Sequence, residues 1–128
     1  MKNKIVRIII AGGRDFTDYN LLKEKVDYYL QNAINNNYKI IIVSGTAKGA
    51  DRLGEKYAKE KGFEIAYFPA DWSKGKRAGY LRNQDMSTYA KEHGMGALIC
   101  FWDGQSKGTK HMIDIAKKDN LQTRIVNY

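Results

Sequence analysis

The sequence predicts an α/β fold, a doubly wound parallel sheet of five strands in the order 3-2-1-4-5 with four helices, in one domain over residues 1–128. Three observations predict it. Five short apolar runs rich in β-branched residues alternate with four stretches of helical periodicity. Each run is nearly continuous rather than alternating, as strands covered on both faces are. A chain of 128 residues buries a single core.

In order, the first strand is Lys4 to Ile10, and Thr17 or Asp18 caps a helix from Asp18 to Asn35 whose stripe is Leu22, Val26, Tyr29, Leu30, Ala33 and Ile34. Lys39 to Val43 is the second strand. Ala50 to Lys61 is the second helix, with Leu53, Tyr57 and Ala58 inward and Gly62 as its C-cap. Glu64 to Phe68 is the third strand. A helix from Ala78 to His93 carries Met86, Tyr89 and Ala90, ends before Gly94, and places His93 as a C-terminal cation. Gly96 to Trp102 is the fourth strand, Thr109 to Lys118 the fourth helix with Met112, Ile115 and Ala116 inward, and Gln122 to Val126 the fifth strand. Right-handed crossovers close these elements most simply as 3-2-1-4-5.

Composition narrows the function. Hydrophobic residues make up 43% and there is one proline, which excludes disorder, collagen and repeat arrays. No apolar run is long enough to span a bilayer and no signal peptide opens the chain, so a soluble, cytoplasmic protein without membrane contact is predicted. Cys100 sits in an apolar run as a buried strand residue. No His, Cys and carboxylate set has metal-site spacing, so neither a metal nor a cofactor is predicted. Lys and Arg number 22 against 14 Asp and Glu, and the net charge of +8 favours an anionic partner.

In a doubly wound sheet, ligands bind beyond the carboxyl ends where the strand order reverses. Three loops converge there: Ala11 to Phe16, Ser44 to Asp51, and Asp103 to Thr109. All are glycine-rich, hydroxyl-bearing and cationic, and all lead towards helices, whose free N–H groups favour anions. Gly12, Gly13, Ser44, Gly45, Thr46, Gly49, Ser106, Gly108 and Thr109 form the predicted phosphate cradle. Arg14 and Arg82 supply charge-assisted bonds. Asp71 and Asn83 join the predicted ligand contacts, and Trp72 flanks a base. Lys48, Lys74, Lys76, Arg77, Lys107 and Lys110 add charge to the rim. Neither the Rossmann fingerprint nor the Walker A pattern is matched, which disfavours hydride transfer and ATP hydrolysis. Asp15, Asp51, Asp71 and Asp103 are the carboxylates at this edge, and His111 lies one turn into the fourth helix.

Arg14-Asp15-Phe16, Ser44 to Asp51, Phe68-Pro69-Ala70-Asp71-Trp72, Ala78 to Met86, and Phe101-Trp102-Asp103-Gly104 with Ser106 to Thr109 resemble the YspA-like branch of the SLOG superfamily. That superfamily is Rossmann-like and includes the LOG phosphoribohydrolases and the DprA DNA-uptake proteins. The resemblance implies a nucleotide-binding pocket for a nucleoside monophosphate, ADP-ribose or similar ligand, serving as a sensor or sequestering protein. It likens Arg82 to the arginine of LOG enzymes and Gly108-Thr109 to their Pro-Gly-Gly-x-Gly-Thr-x-x-Glu loop. The catalytic glutamate of that loop falls at Met112, and a thioether moves no proton. The alternative is a phosphoribohydrolase in which Arg82 orients the ligand and Asp103 or Asp15 replaces the glutamate. Single-stranded nucleic acid is a third, less favoured partner. The resemblance also leaves a homodimer open.

Overall fold

Ile8, Ile9 and Ile10 form the middle of a strand whose two faces are both covered, and the rest of the molecule is arranged around it. The computed structural model describes residues 4–92 and 94–128, so the expectation for His93 lies outside the described residues. Its regular elements are β1 (Ile5–Gly12), α1 (Tyr19–Asn35), β2 (Lys39–Ser44), α2 (Ala50–Lys61), β3 (Glu64–Tyr67), α3 (Ala78–Lys91), β4 (Gly96–Trp102), α4 (Lys107–Lys118) and β5 (Gln122–Asn127). The strands are all parallel and lie in the order β3-β2-β1-β4-β5, a Rossmann-like sheet as predicted.

Side chains alternate across a strand, so each face of the sheet has its own core. Ile8, Ile10, Ile40, Ile42 and Ile99 pack with Leu22, Val26 and Leu30 of α1 and with Tyr57 and Ala58 of α2. On the other face Ile9, Val43, Leu98 and Cys100 pack with Met86 and Ala90 of α3 and with Met112, Ile113 and Ala116 of α4. Each fully buried Ile or Leu here stabilises the fold by roughly 1.5–3 kcal/mol. Gly54 lets α2 close onto β1, since a Cβ there would stand 2.8 Å from Ile10 Cγ2.

The ends of elements differ from expectation where tertiary pairing overrides local pattern. β1 continues to Gly12 because Ala11 and Gly12 pair with Cys100 and Phe101 of β4. α1 begins at Tyr19, with the Asp18 carboxylate accepting the Leu21 N–H at 3.0 Å. α4 begins two residues early, at Lys107, because Ser106 caps it by accepting the Thr109 N–H at 3.4 Å. Gly62 caps α2 in the left-handed conformation, φ 75°. The polar connection after β3, which shows no periodicity in the sequence, contains a 3-10 turn over Trp72–Arg77, capped by Asp71 and interrupted at Gly75. Among the described residues no helix is long and apolar enough to cross a membrane.

The strand order reverses between β1 and β4. Both end at the same edge of the sheet, facing the start of α3, and that edge carries the site.

Candidate functional site

At the carboxyl edge the β1–α1 loop, the start of α3 and the start of α4 enclose a cleft of about 490 Å³, within the roughly 300–1,000 Å³ usual for small-molecule sites. Gly12, Gly13, Arg14 and Asp15 form one wall, Asp103, Ser106, Gly108 and Thr109 another, and Asp51, Arg82 and Asn83 lie between them. A smaller recess of about 230 Å³ adjoins it, lined by Gly45, Thr46, Lys48, Ala70 and Trp72. Arg14, Ala47 and Arg82 border both.

The backbone donors of the cleft are not the ones glycine content alone points to. The Gly13 N–H is engaged by the Phe101 carbonyl at 3.0 Å, because β1 stays paired with β4 to its last residue, and the Gly13 carbonyl accepts from Ala50 at 3.2 Å. Gly49 contributes no surface to either hollow. Its φ is 88°, and a Cβ there would stand 2.7 Å from the Arg14 carbonyl carbon, so this glycine locks the β2–α2 loop against the β1–α1 loop. Arg14, Asp15 and Gly108 line the cleft, and their amides find no acceptor among the described residues. The Gly108 amide also belongs to the first turn of α4, where the helix dipole adds positive potential.

Arg82 is the most constrained cation of the site. Its Nη1 donates to the Gly45 carbonyl and its Nε to Asn83 Oδ1 at 3.1 Å, while Nη2 has no partner among the described residues. Burial pulls its pKa down from the usual arginine range, the Asp51 carboxylate opposes that shift, and the guanidinium stays charged. Arg14 stands 5.8 Å from the centre of the Trp72 ring. Asn83 holds the walls together, its Nδ2 donating to the Gly108 carbonyl at 3.4 Å and lying 3.3 Å from His111 Nδ1. Burial also lowers the His111 pKa.

The four carboxylates at this edge differ sharply. Asp103 is exposed and accepts the Gln105 and Ser106 N–H groups at 2.9 and 2.8 Å, which hold its pKa below the usual range and make it the organiser of its own turn. Asp15 accepts the Tyr128 hydroxyl at 2.6 Å. Asp71 accepts from Ser73 and borders neither hollow. Asp51, only 5% exposed, lies in the cleft, and burial pushes its carboxyl up to about 6 against the lowering effects of the Ala47 N–H and Arg82. The two aspartates expected to stand in for a catalytic glutamate therefore already serve loop structure, and nothing in the sequence sets the buried one apart from them.

Ser44 too is placed differently from expectation. It is 1% exposed, donates to Glu55 Oε2 at 2.6 Å and accepts the Thr46 N–H at 3.0 Å, and it borders neither hollow. Ser106 and Thr109 do border the cleft and are joined to each other at 3.1 Å. Lys48 borders the recess, whereas Lys74, Lys76, Arg77, Lys107 and Lys110 border neither hollow. Sequence reasoning passes over Tyr80, whose ring is exposed at the cleft mouth 4.2 Å from that of His111. It also passes over Tyr128, stacked edge-on to Phe16 at 4.9 Å. Only the aromatic residue opening a helix beside the ligand edge could have pointed to Tyr80. Met112 and Met86 complete the apolar floor. Among the described residues no three His, Cys, Asp or Glu side chains gather where they could hold a metal ion.

Comparison with known proteins agrees with this architecture. Residues 6–75, more than half of the chain, match the profile of the YspA, cpYpsA-related SLOG family. The Gene 61 protein of Mycobacterium phage D29 is 29% identical over 128 residues, covering 95% of each chain. Among solved structures, DNA processing protein A (DprA) from Streptococcus pneumoniae superimposes with a TM-score of 0.63 at 14% identity, covering 98% of this chain. The chain spans about half, 51%, of that DprA chain, and the likeness is one of fold.

Proposed function

The chain belongs to the YspA, cpYpsA-related SLOG family, and from that premise we propose that it binds a nucleotide or nucleotide-derived ligand, a nucleoside monophosphate, ADP-ribose or similar, at the carboxyl edge of its sheet, as a sensor or sequestering protein. The observation that carries this reading is the meeting, in one cleft, of the Arg82 Nη2 group and the Arg14, Asp15 and Gly108 amides, none of which has an acceptor within the described residues. A phosphate satisfies such donors together. The exposed rings of Tyr80 at the cleft and of Trp72 at the adjoining recess offer faces for a base.

Hydrolysis has less to stand on. Met112 is buried in the cleft floor at the position of the LOG glutamate, and Asp103 and Asp15 are held by other bonds. The test is a thermal-shift and calorimetric panel of nucleoside monophosphates, ADP-ribose, NAD, cyclic nucleotides and single-stranded DNA on wild type and Arg82→Ala. A ligand at about a hundredfold over its Kd stabilises by roughly 2.7 kcal/mol. Arg82→Ala weakens binding about ten- to a hundredfold, the loss of a hydrogen bond to a charged group, roughly 1.5–3 kcal/mol. Free base released from a monophosphate overnight establishes the hydrolase instead, and a shift with DNA alone establishes the nucleic-acid reading.

A further inference from the structure

Asn83 uses both ends of its side chain inside the protein. It is 6% exposed, lies where α3 meets α4, and has three partners. Its Oδ1 accepts the Arg82 Nε–H at 3.1 Å, while Nδ2 lies 3.4 Å from the Gly108 carbonyl oxygen and 3.3 Å from His111 Nδ1. The first two partners fix which end of the amide is which. A guanidinium nitrogen only donates and a carbonyl oxygen only accepts, so the oxygen of Asn83 faces Arg82 and its NH2 group faces α4. That leaves a second N–H for His111 Nδ1, which has to act as the acceptor. The imidazole is therefore neutral, with its proton on Nε2. His111 itself borders neither hollow, so it reaches a ligand only through Asn83.

Gain of a proton by His111 turns Nδ1 into a donor and sets two N–H groups against each other. A charged imidazole competes strongly for an amide oxygen. Once the amide has turned over to supply that oxygen, its NH2 group faces Arg82 Nε, which cannot accept, and the bond to Gly108 is lost as well. Arg82 then keeps only the hydrogen bond from Nη1 to the Gly45 carbonyl. We propose that His111 is a positioning residue of the cleft: neutral, it holds the Arg82 guanidinium through Asn83 in the pose that leaves Nη2 free, and protonated, it releases it. The pose of Arg82 follows from the protein alone, and its consequence for affinity rests on the nucleotide-binding reading above. The surroundings of His111 favour the neutral form. The Tyr80 ring of α3 stands 4.2 Å from the imidazole, and burial lowers the His111 pKa against the opposing effect of Asp114. Along its own helix the charged neighbours within a turn are Lys107, Lys110 and Asp114, the last two bonded to each other at 2.9 Å. Around Arg82 the charged groups are Asp51 of α2 and Arg14 of the β1–α1 loop. Asp51 also changes charge near pH 6, so the experiment has to separate the two.

The test is a series of nitrogen NMR spectra of the ligand-free protein from pH 8 to 5, with the His111 imidazole identified by its loss in His111→Asn. Neutral His111 should carry its proton on Nε2, and the Arg82 Nε–H signal should move in step with the His111 titration. That movement should persist in Asp51→Asn and vanish in His111→Asn, which keeps near the place of Nδ1 an acceptor that never gains a charge. Affinity for ADP-ribose, whose phosphates do not titrate in this range, should fall about tenfold as the pH drops through the same interval, the loss of a hydrogen bond. The fall should be seen in wild type and Asp51→Asn but not in His111→Asn. A neutral His111 protonated on Nδ1 overturns the assignment, and so does an Arg82 signal indifferent to the His111 titration; both leave the nucleotide site standing. A fall in affinity that survives in His111→Asn overturns the link to binding. Absence of ADP-ribose binding at every pH counts against the nucleotide reading, and the spectra still decide whether His111 holds Arg82.

Discussion

Hollows open at both ends of the sheet, and the groove at the amino edge, larger than the cleft at the carboxyl edge, is the less equipped. At the amino edge, where α1 passes over the starts of β1, β4 and β5, a groove of about 680 Å³ is lined by Val6, Ile8, Ile99, Tyr29 and Arg124 among others. It exists because α1 and α2 cover β1, β2 and β3 while β5 shows Gln122 and Arg124 on that same face. Arg124 rests on the Tyr29 ring at 6.0 Å, and no carboxylate borders the groove among the described residues. The carboxyl-edge cleft is smaller, yet it holds a buried acid, a tethered guanidinium and unsatisfied amides. Volume marks where helices fail to meet; a buried charge set beside donors without acceptors marks a place equipped to hold a ligand.

That contrast can be attacked at several points. The largest effect belongs to glycine: Gly49→Ala should destabilise the protein by about 3 kcal/mol or more, as left-handed strain and backbone overlap combine. Gly94→Ala, at the amino-edge groove, shares the left-handed φ, 74°, but has nothing within 4 Å of the added Cβ. It should cost only about 1 kcal/mol. Denaturant melts of the two variants measure the difference. Equal losses would mean that the two loops at the carboxyl edge are not locked together.

Asp51→Asn is next. The native carboxyl is raised from 3.8 to about 6, so folding favours its protonated form. The cost of ionisation is therefore absent below about pH 3.8, grows through the interval, and is full above about 6. Arg82 and Arg14 oppose that cost and Glu55 adds to it. The variant should gain on the order of 2 kcal/mol over wild type at pH 8 and nothing at pH 3.5, measured as a pH series of melting temperatures. A site group that destabilises the empty protein is the pattern expected when a ligand supplies its partner. The smallest effect is at the other hollow, where Arg124→Ala should leave nucleotide affinity within about twofold by calorimetry. A larger loss would show that the amino-edge groove takes part in binding.

The sheet was legible because its signals are local or nearly so. Unbroken runs such as Ile40 to Val43 announce strands buried on both faces, and handed crossovers then leave few orders open. The placement of Arg82 at the ligand edge was legible as well, through its position near the first turn of the third helix and through the family resemblance. What failed to show was which groups the fold consumes. Gly13 loses its N–H to Phe101 through a pairing with β4, 88 residues away in the chain, and Ser44 loses its hydroxyl to Glu55 because β2 runs one residue further than its apolar run. Asp51 and Asp103 look alike in the sequence, each an aspartate among glycines. Packing of α2 over β1 buries the first, while the second stays in water.

Cys100 carries a practical consequence. It is the one cysteine of the chain, lies in β4 at 0% exposure, and pairs in register with Ala11, which itself borders the cleft. Burial pushes its thiol up to about 12, so the folded protein presents almost no thiolate to an alkylating reagent. Labelling must await the lifting of α3 and α4 from the sheet face on which the sulfur is packed, which makes it a built-in clock for opening of that layer. A ligand that grips the carboxyl edge slows that clock by the factor 1 + [L]/Kd, and its affinity can then be read from the rate at which a mass spectrometer sees one adduct appear.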